Sequence, residues 1–222
     1  MRKYRGGLAE VHAIVPMKTL TLAKARLAPV LNPAERARFS VAMLVDVLEA
    51  LRKVKRLHRV TVVSTDRSVR QIARSHGASW LWEGRRRGLN KAVRMAIRDS
   101  KLKGASATVI MPADIPLVTP REILDFLSRA SGYSVALAPS KDGAGTNALL
   151  MHPPGVIRPV FGRDSFQKHL ALADQQGVSR RVIRTSGIGF DVDEPKDFRR
   201  LMHHYLRNET GRFLIEMRRR SQ

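Results

Sequence analysis

The chain has 222 residues, 43% of them hydrophobic, which suffices for one α/β domain with a substantial core. Its 41 lysines and arginines against 19 acidic residues give a net charge of +22, so the surface is expected to attract polyanions and nucleotides. The lack of cysteine excludes disulfides, thiolate metal sites and a cysteine nucleophile. No apolar run approaches the ~20 residues that a membrane helix needs. A cytoplasmic location is therefore expected.

Apolar runs alternate with helical patterns along the chain. Strands are predicted at 11–15, 60–63, 79–82, 108–111, 134–138, 148–151 and 182–185. Helices are predicted at 33–53, 89–101 and 166–173, from 120 and 195 onward, and between a cap at Asp66 and an end near Gly77. Asn32 with Glu35, and Thr119 with Glu122, have the residue types and spacing that begin helices. The alternation predicts a single α/β domain with a mainly parallel mixed sheet covered on both faces, and ligands at the carboxyl ends of its strands.

Two glycine-flanked turns are the most informative feature of the chain. Gly145 precedes Thr146 and Asn147 directly before an apolar run, and Gly162 and Ser165 belong to a second turn. Because glycine lets a backbone approach a ligand closely, two such turns can aim N–H and hydroxyl donors at one anion. They predict a phosphate pocket, and the alternative is a pair of ordinary surface turns.

Three aspartates follow apolar runs of the chain. Asp114 comes after the run 107–111, and Asp191 and Asp193 come after the run 187–190. Carboxylates at strand ends can hold magnesium, which typically takes one or two carboxylates together with substrate phosphates. Taken singly, each aspartate is equally typical of a turn or a helix cap. Together they predict metal-assisted chemistry on a phosphate.

Basic residues occupy the loop after the first predicted strand. Lys18, Lys24 and Arg26 lie where their charges could neutralise a triphosphate, and arginine offers bidentate geometry. The alternative is ordinary surface charge in a very basic chain. The glycine pattern of a Walker loop is absent, so the usual phosphate-binding loop is not expected.

Eight blocks of the chain occur together in a recognisable order. They are Met17-Lys18, Lys24-Ala25-Arg26-Leu27, Val63-Ser64-Thr65-Asp66, Gly88-Leu89-Asn90, Ala113-Asp114-Ile115-Pro116, Gly145-Thr146-Asn147-Ala148-Leu149, Phe161-Gly162-Arg163-Asp164-Ser165-Phe166 and Asp191-Val192-Asp193. In sequence and order these blocks resemble the 2-phospho-L-lactate guanylyltransferase family, over roughly residues 11–203.

The resemblance implies a nucleotidyltransferase fold similar to that of molybdopterin guanylyltransferases, and a role in deazaflavin coenzyme biosynthesis. A phosphorylated three-carbon acid would attack the α-phosphate of GTP and release pyrophosphate. The sequence does not choose among 2-phospho-L-lactate, phosphoenolpyruvate and 3-phospho-D-glycerate as that acid.

The resemblance also implies roles for three sets of residues. The catalytic set, which would face the GTP phosphates, is Lys18, Lys24 and Arg26. The substrate-binding set, whose first three members would hold the phosphate of the acid, is Thr146, Gly162, Ser165, Asn147 and Asn90. The Mg²⁺ ligands would be Asp114, Asp191 and Asp193.

Two features depart from the family pattern. Ala25 stands where a hydroxyl residue is common, which could remove one phosphate contact. The chain is divided into a guanylyltransferase domain at 1–207 and a basic C-terminal tail at 208–222, which is expected to be either a docking helix or a frayed end.

A rival interpretation of the charge is a basic nucleic-acid-binding module. Against it stand an aromatic content of 5% and the lack of a recognised nucleic-acid-binding motif, so no specific nucleic acid is expected. Basic runs such as 85–87 and 218–220 are spread along the chain, which favours a generally basic surface. A third interpretation keeps a nucleotidyltransferase but changes the acceptor to a sugar phosphate or a pterin. No membrane partner is expected, and a homodimer is possible.

Overall fold

One seven-stranded sheet organises the molecule. The computed structural model describes residues 8–84 and 88–220, so the basic run at 85–87 lies outside the described residues. The strands are β1 Val11–Pro16, β2 Leu57–Ser64, β3 Ser79–Trp82, β4 Ala107–Ile110, β5 Val135–Pro139, β6 Thr146–Met151 and β7 Arg180–Val182. All seven predicted strands are therefore present.

Eight α-helices and two short 3₁₀ turns connect these strands within the described residues. The helices are α1 Pro33–Arg52, α2 Ser68–Ser75, α3 Leu89–Leu102, α4 Pro120–Ala130, α5 Ser165–Gln175, α6 Ser186–Gly189, α7 Pro195–Met202 and α8 Glu209–Arg220. The 3₁₀ turns, Leu20–Leu22 and Ala25–Leu27, lie in the loop after β1. None of the described helices is long and apolar enough to cross a membrane.

The strand order is β3-β2-β1-β4-β6-β5-β7. Strand β6 runs antiparallel to β4 and β5, and the other neighbouring pairs are parallel. The predicted mainly parallel mixed sheet is confirmed. Because β6 is reversed, its amino end lies at the same edge of the sheet as the carboxyl ends of β4 and β5. The loops that leave β1, β4 and β5 therefore meet the start of β6.

Each face of the sheet is covered by its own apolar layer, as predicted. Within β1, Val11, Ala13 and Val15 pack towards α1, α2 and α4, whereas Ile14 packs towards α3 and α5. This is the alternation that a strand buried on both faces requires.

Both predicted helix starts are confirmed in detail. Asn32 and Glu35 form a reciprocal capping box at the start of α1, and Thr119 and Glu122 form another at the start of α4. Such boxes satisfy backbone N–H groups that the first helical turn leaves unpaired. The helix that Asp66 was expected to cap begins at Ser68 with Arg67 as its N-cap, although Asp66 still accepts a hydrogen bond from the N–H of Ser68 at 3.0 Å.

The last strand was predicted too late in the chain. Residues 182–185 were expected to form it, but β7 spans Arg180–Val182 and pairs with β5 from Val135 onward. Just after Val182, the N–H of Ile183 donates to the carbonyl of Leu137, at 2.8 Å. As an edge strand, β7 carries charged side chains on its exposed positions, so its sequence lacks the apolar run that marks an inner strand.

The segment beyond residue 207 is a docked helix. Phe213 and Leu214 of α8 are buried in a cluster with Phe39 of α1, and the rings of Phe39 and Phe213 lie 5.1 Å apart. Asn208 accepts a hydrogen bond from the N–H of Gly211, at 2.9 Å. Of the two expectations for the tail, a docking helix or a frayed end, the structure shows the first.

Candidate active site

The predicted site residues converge on one edge of the sheet. The segments that meet there are the loop after β1, the loop after β4, the turn from β5 into β6, the start of α5 and the loop before α7. This is the edge at which open α/β sheets bind ligands, because the strand ends and helix starts leave backbone groups free to face a ligand.

Lys24 links two of the predicted metal ligands. Its ammonium donates to the carboxylate of Asp114 at 2.6 Å and to that of Asp193 at 2.8 Å, and its side chain is 9% exposed. The backbone of Lys24 has φ 53°, the left-handed conformation that costs non-glycine residues energy. A buried, ion-paired lysine in such a conformation indicates that the loop is shaped around this contact.

The charges of this group shift one another's pKa values. Burial lowers the pKa of Lys24, but the carboxylates of Asp114 and Asp193 more than offset this, so its pKa is raised and the ammonium stays charged. Burial raises the pKa of Asp193, but Lys24, Arg26 and Lys18 outweigh it and lower the pKa overall.

Asp191 lies near the same group and is held in place by an amide. Asn147 donates from Nδ2 to the Asp191 carboxylate at 3.1 Å and to the carbonyl of Ile188 at 3.0 Å. Burial raises the pKa of Asp191, and the charges of Asp114 and Asp193 raise it further. We call Lys24, Asp114, Asp191 and Asp193 the carboxylate cluster.

The position of these aspartates differs from the prediction. Residues 187–190 were expected to be a strand end, but Ser186–Gly189 is the short helix α6, so Asp191 and Asp193 lie in a loop between two helices. Neither aspartate caps α7, because Glu194 is its N-cap and Asp197 completes the capping box. Asp114 lies in a turn beyond β4, and α4 is capped by Thr119. The loops are nevertheless bridged, since the N–H of Val192 donates to the carbonyl of Asp114 at 3.1 Å.

The donor chemistry of the carboxylate cluster fits a hard divalent cation. Asp114 and Asp193 pair with one buried ammonium, and Asp191 lies near enough that burial and the charges of these two carboxylates raise its pKa. Three carboxylates around one ammonium leave excess negative charge in a partly desolvated place. Within the described part of the chain, no three His, Cys, Asp or Glu side chains are already grouped as a metal site. Magnesium suits such a partial site, because it commonly completes its coordination with water and substrate phosphates. The metal assignment stays a prediction.

The other two predicted cations stand at the outer side of the same loop. Arg26 is 74% exposed and lies 4.0 Å from the carboxylate of Glu194. Lys18 is exposed and contributes to the field that lowers the pKa of Asp193. Both are therefore near the carboxylate cluster without being bound into it, and their catalytic assignment stays a prediction.

The first glycine turn, residues 142–146, is held by a network around Ser140. The Ser140 hydroxyl accepts from the N–H of Gly145 at 2.7 Å and donates to the carboxylate of Asp142 at 2.5 Å. A Cβ added to Gly145 would lie 2.8 Å from the Ser140 oxygen, so Ser140 would have to move away and its two hydrogen bonds would be disturbed. Gly145 is thus required for the close approach that shapes this turn.

The second glycine turn, residues 161–165, leads into α5. Gly162 has φ 121° and Asp164 has φ 56°, both on the left-handed side of backbone space. Ser165 is buried in the first turn of α5. The first turn contacts the residue that follows the second, since the N–H of Phe166 donates to the carbonyl of Ala144 at 3.1 Å.

Asn90 holds the second turn from α3. Its Oδ1 accepts from the N–H of Phe161 at 2.7 Å, and its Nδ2 donates to the carbonyl of Phe161 at 3.0 Å. The Asn90 amide thus pairs with the N–H and the carbonyl of Phe161 as a neighbouring strand would. Asn90 was predicted to bind substrate, and in this structure both its amide atoms are engaged by the backbone that precedes Gly162.

The chain as a whole matches one protein family. The family model for the CofC-like guanylyl transferases covers residues 11–220. The chain belongs to the CofC-like guanylyltransferase family. The match extends through α8, beyond the stretch of about 11–203 over which the sequence blocks had suggested it.

Relatives within this guanylyltransferase family carry two names. The phosphoenolpyruvate guanylyltransferase of Rubrobacter xylanophilus is 42% identical over 193 residues, which is 86% of this chain and 93% of that protein. The 2-phospho-L-lactate guanylyltransferase of Methanobrevibacter smithii is 31% identical, over 94% of this chain and 91% of that protein.

Solved structures place this family member among nucleotidyltransferase folds. A protein from Desulfovibrio desulfuricans G20, classed with nucleotide-diphospho-sugar transferases, aligns with a TM-score of 0.78 over 95% of this chain and 98% of its own, at 18% identity. A nucleotidyl transferase from Methanothermobacter thermautotrophicus aligns with a TM-score of 0.67 over 93% of this chain and 99% of its own, at 14% identity. The predicted single-domain nucleotidyltransferase fold is confirmed.

Two residues of this guanylyltransferase-family site were missed by sequence reasoning. Lys141 forms an ion pair with Asp197 and donates to the carbonyl of Asp191 at 3.1 Å, so it holds the loop of the carboxylate cluster. His169 contacts Thr146 from α5. A lysine in a basic chain and a histidine on an apolar helix face are each common, so neither gave a signal in the sequence.

Proposed function

We propose that the chain transfers the guanylyl group of GTP to the phosphate of a phosphorylated three-carbon acid and releases pyrophosphate. An oxygen of the acceptor phosphate forms a bond to the α-phosphorus of GTP, and the bond between the α-phosphorus and the bridging oxygen breaks. The leaving pyrophosphate takes that oxygen and its charge. The acceptor phosphate is already a nucleophile, so no dedicated base is required.

The observation that carries the proposal is the junction of the carboxylate cluster with the two glycine turns. Thr146 and Asn147 are neighbours at the start of β6, and successive strand residues point to opposite faces. Thr146 contacts α5 beside the second glycine turn, whereas Asn147 donates to Asp191. The start of β6 therefore contacts both the hydrogen-bond donors of the glycine turns and the charges of the carboxylate cluster. A reaction between two phosphates requires both.

The carboxylate cluster is proposed as the nucleotide side. Lys24 is held in place by two carboxylates, so it would meet the GTP phosphates with little loss of side-chain freedom. Lys18 and Arg26, at the outer side of the loop, would add positive charge towards the leaving pyrophosphate.

Magnesium is the proposed cofactor, held by Asp114, Asp191 and Asp193 together with phosphate oxygens of GTP. When bound, it would supply positive charge to the reacting phosphates. Within the chain itself, Asn147 orients the Asp191 carboxylate, and Lys141 holds the backbone that follows Phe190.

The glycine turns are proposed as the acceptor side. Thr146 and Ser165 would donate their hydroxyl protons to the acceptor phosphate, and the flexible backbone of Gly162 would allow that phosphate to approach the start of α5. The N-terminus of a helix favours a negatively charged group.

Phosphoenolpyruvate is the first acceptor to test. The relative with 42% identity is a phosphoenolpyruvate guanylyltransferase, whereas the 2-phospho-L-lactate guanylyltransferase from Methanobrevibacter smithii is 31% identical. The product would enter deazaflavin coenzyme biosynthesis, and the protein would act in the cytoplasm.

The test measures pyrophosphate release from GTP and Mg²⁺ with each of the three acids in turn. ATP and CTP serve as matched donors, and a sugar phosphate serves as a matched acceptor. We expect release only when GTP and a three-carbon acid are both present. Release with CTP but not GTP, or with the sugar phosphate but no acid, would overturn the proposal.

A further inference from the structure

His169 is a fully buried histidine whose two ring nitrogens are both engaged by the predicted acceptor side. Nδ1 lies 3.0 Å from Oγ1 of Thr146, and Nε2 lies 2.9 Å from the backbone nitrogen of Val160. The ring also packs edge-on against Phe161, with centroids 5.1 Å apart. The imidazole therefore joins β6, α5 and the chain just before the second glycine turn.

The contacts define the tautomer of the ring. The backbone N–H of Val160 can only donate, so Nε2 must accept and carries no proton. Burial lowers the pKa of His169 to about 4, so the ring is neutral near pH 7 and its single proton is on Nδ1. Nδ1–H then donates to the hydroxyl oxygen of Thr146.

This bond decides what the Thr146 hydroxyl can do. Its oxygen accepts from His169, so its own proton is directed away from the ring and remains to be donated. Thr146 is itself nearly buried at the start of β6, so water competes little for that proton. A hydroxyl prepared in this way is suited to an anionic oxygen, which only accepts hydrogen bonds.

The other nitrogen acts on the second glycine turn. By accepting from Val160, His169 holds the backbone one residue before Phe161, whose own N–H and carbonyl are held by Asn90. His169 from α5 and Asn90 from α3 thus hold two successive residues, Val160 and Phe161. Their combined effect is to define the separation between Thr146 and the turn that contains Gly162.

We propose that His169 is a positioning residue for the acceptor phosphate, which directs the Thr146 hydroxyl proton towards it and holds the second glycine turn at the matching distance. The inference rests on the proposed function, since it assigns the donors to the acceptor and not to GTP.

Two substitutions separate the two bonds of the ring. In His169→Asn the side-chain amide can still donate to Thr146 but cannot reach Val160, whereas in His169→Gln the amide oxygen can accept from Val160 and the bond to Thr146 is lost. We expect His169→Gln to raise the KM for the acid about 10-fold, because a neutral hydrogen bond is lost. The KM for GTP should stay within about 2-fold, and His169→Asn should have a smaller effect on the acid.

A double substitution gives the decisive comparison. If His169 acts through the hydroxyl, adding His169→Gln to Thr146→Val should raise the KM for the acid no further than Thr146→Val alone. Additive effects, or an equal rise in the KM values for GTP and the acid, would overturn the proposal. His12→Gln is a matched control, because His12 is equally buried but lies in β1 and contacts Glu10.

The unsubstituted protein offers a test that needs no activity. Long-range ¹H–¹⁵N correlation spectra should show His169 neutral at pH 7, with the proton on Nδ1, and a proton on Nε2 would overturn the inference. If pyrophosphate release fails with every acid while the spectra agree, the proposed function is wrong and the geometry of His169 stands. If release occurs but the KM for the acid is unchanged in His169→Gln, the inference alone fails.

Discussion

The carboxylate cluster and the glycine turns lie at the same edge of the sheet but are held together by different interactions. The first gathers full charges from loops far apart in the chain, and Asp193 remains half exposed among them. The second is held mainly by hydrogen bonds of the backbone and of uncharged side chains, with His169 and Asn90 fastening the backbone. Charges can act over a distance and tolerate small movements, whereas neutral donors must be placed within hydrogen-bond reach.

This difference predicts which kinetic constant each region controls. Removing a carboxylate from the carboxylate cluster should reduce turnover, since these carboxylates would hold the magnesium that supplies positive charge to the reacting phosphates. Disturbing a glycine turn should instead weaken the binding of one substrate, because each donor there contributes one local contact.

The largest effect is expected from Asp114→Asn. A neutral amide is a poorer magnesium ligand and a weaker partner for Lys24, so kcat for guanylyl transfer should fall about 100-fold or more. The measurement is pyrophosphate release at saturating GTP and acid. Asp125→Asn is the matched control, because Asp125 lies on the exposed side of α4 and pairs only with Arg129 among the described residues. Near-normal turnover of Asp114→Asn at ordinary magnesium would remove Asp114 from the site.

A smaller and more selective effect is expected from Thr146→Val. Losing a hydrogen bond to a charged oxygen, worth ~1.5–3 kcal/mol, should raise the KM for the acid about 10- to 100-fold. The KM for GTP should change little. Thr108→Val is the control, since Thr108 is fully buried in the neighbouring strand β4. Equal changes for both substrates would mean that the glycine turns serve the nucleotide or the fold.

A pH dependence of stability should follow from His169. Its pKa is lowered by burial from 6.5 to about 4, so between these values the unfolded chain binds the proton and the folded chain does not. Stability is therefore fully present above pH 6.5 and is lost as the pH falls towards 4, by about 3 kcal/mol. Urea unfolding at pH 7 and pH 4.5 measures this loss. In His169→Gln the loss should be visibly smaller, and an identical loss would assign it to other groups.

The smallest effect on catalysis is expected from salt. The exposed positive charges should give weak, sequence-independent binding to DNA or RNA that falls steeply as salt rises. Guanylyl transfer should fall less, because the partly buried charges of the carboxylate cluster are screened less. Nucleic-acid binding and guanylyl transfer are measured in parallel at increasing salt concentrations. Tight, sequence-selective binding without pyrophosphate release would favour the nucleic-acid-binding interpretation.

The sequence predicted those features that depend on neighbouring residues. The capping boxes at Asn32 and Thr119 involve contacts three residues apart, so residue type and spacing are enough to identify them. The same holds for the glycine turn at Gly145. The family blocks also suggested which distant residues form one site, because these blocks carry information about positions that meet only in the folded chain.

Features that depend on contacts between residues far apart in the chain could not be predicted from the sequence as well. Asp191 and Asp193 follow a short helix in place of the expected strand, because four residues give too little pattern to tell the two apart. Lys24 was assigned to phosphate alone, while the structure also pairs it with two carboxylates that lie 90 and 169 residues away. His169 could not be selected at all, since its importance comes from Val160 and Thr146.

The docking of α8 has a practical consequence for engineering the chain. The buried carboxylate of Asp46 in α1 accepts from the N–H groups of Glu209 and Thr210, both at 2.9 Å, and burial raises its pKa. Gly211 lies so close to Leu206 that a Cβ would come within 2.0 Å of its carbonyl oxygen. Ending the chain at residue 207 would leave Asp46 without these donors and uncover the ring of Phe39. An affinity tag should therefore extend the C-terminus and not replace it.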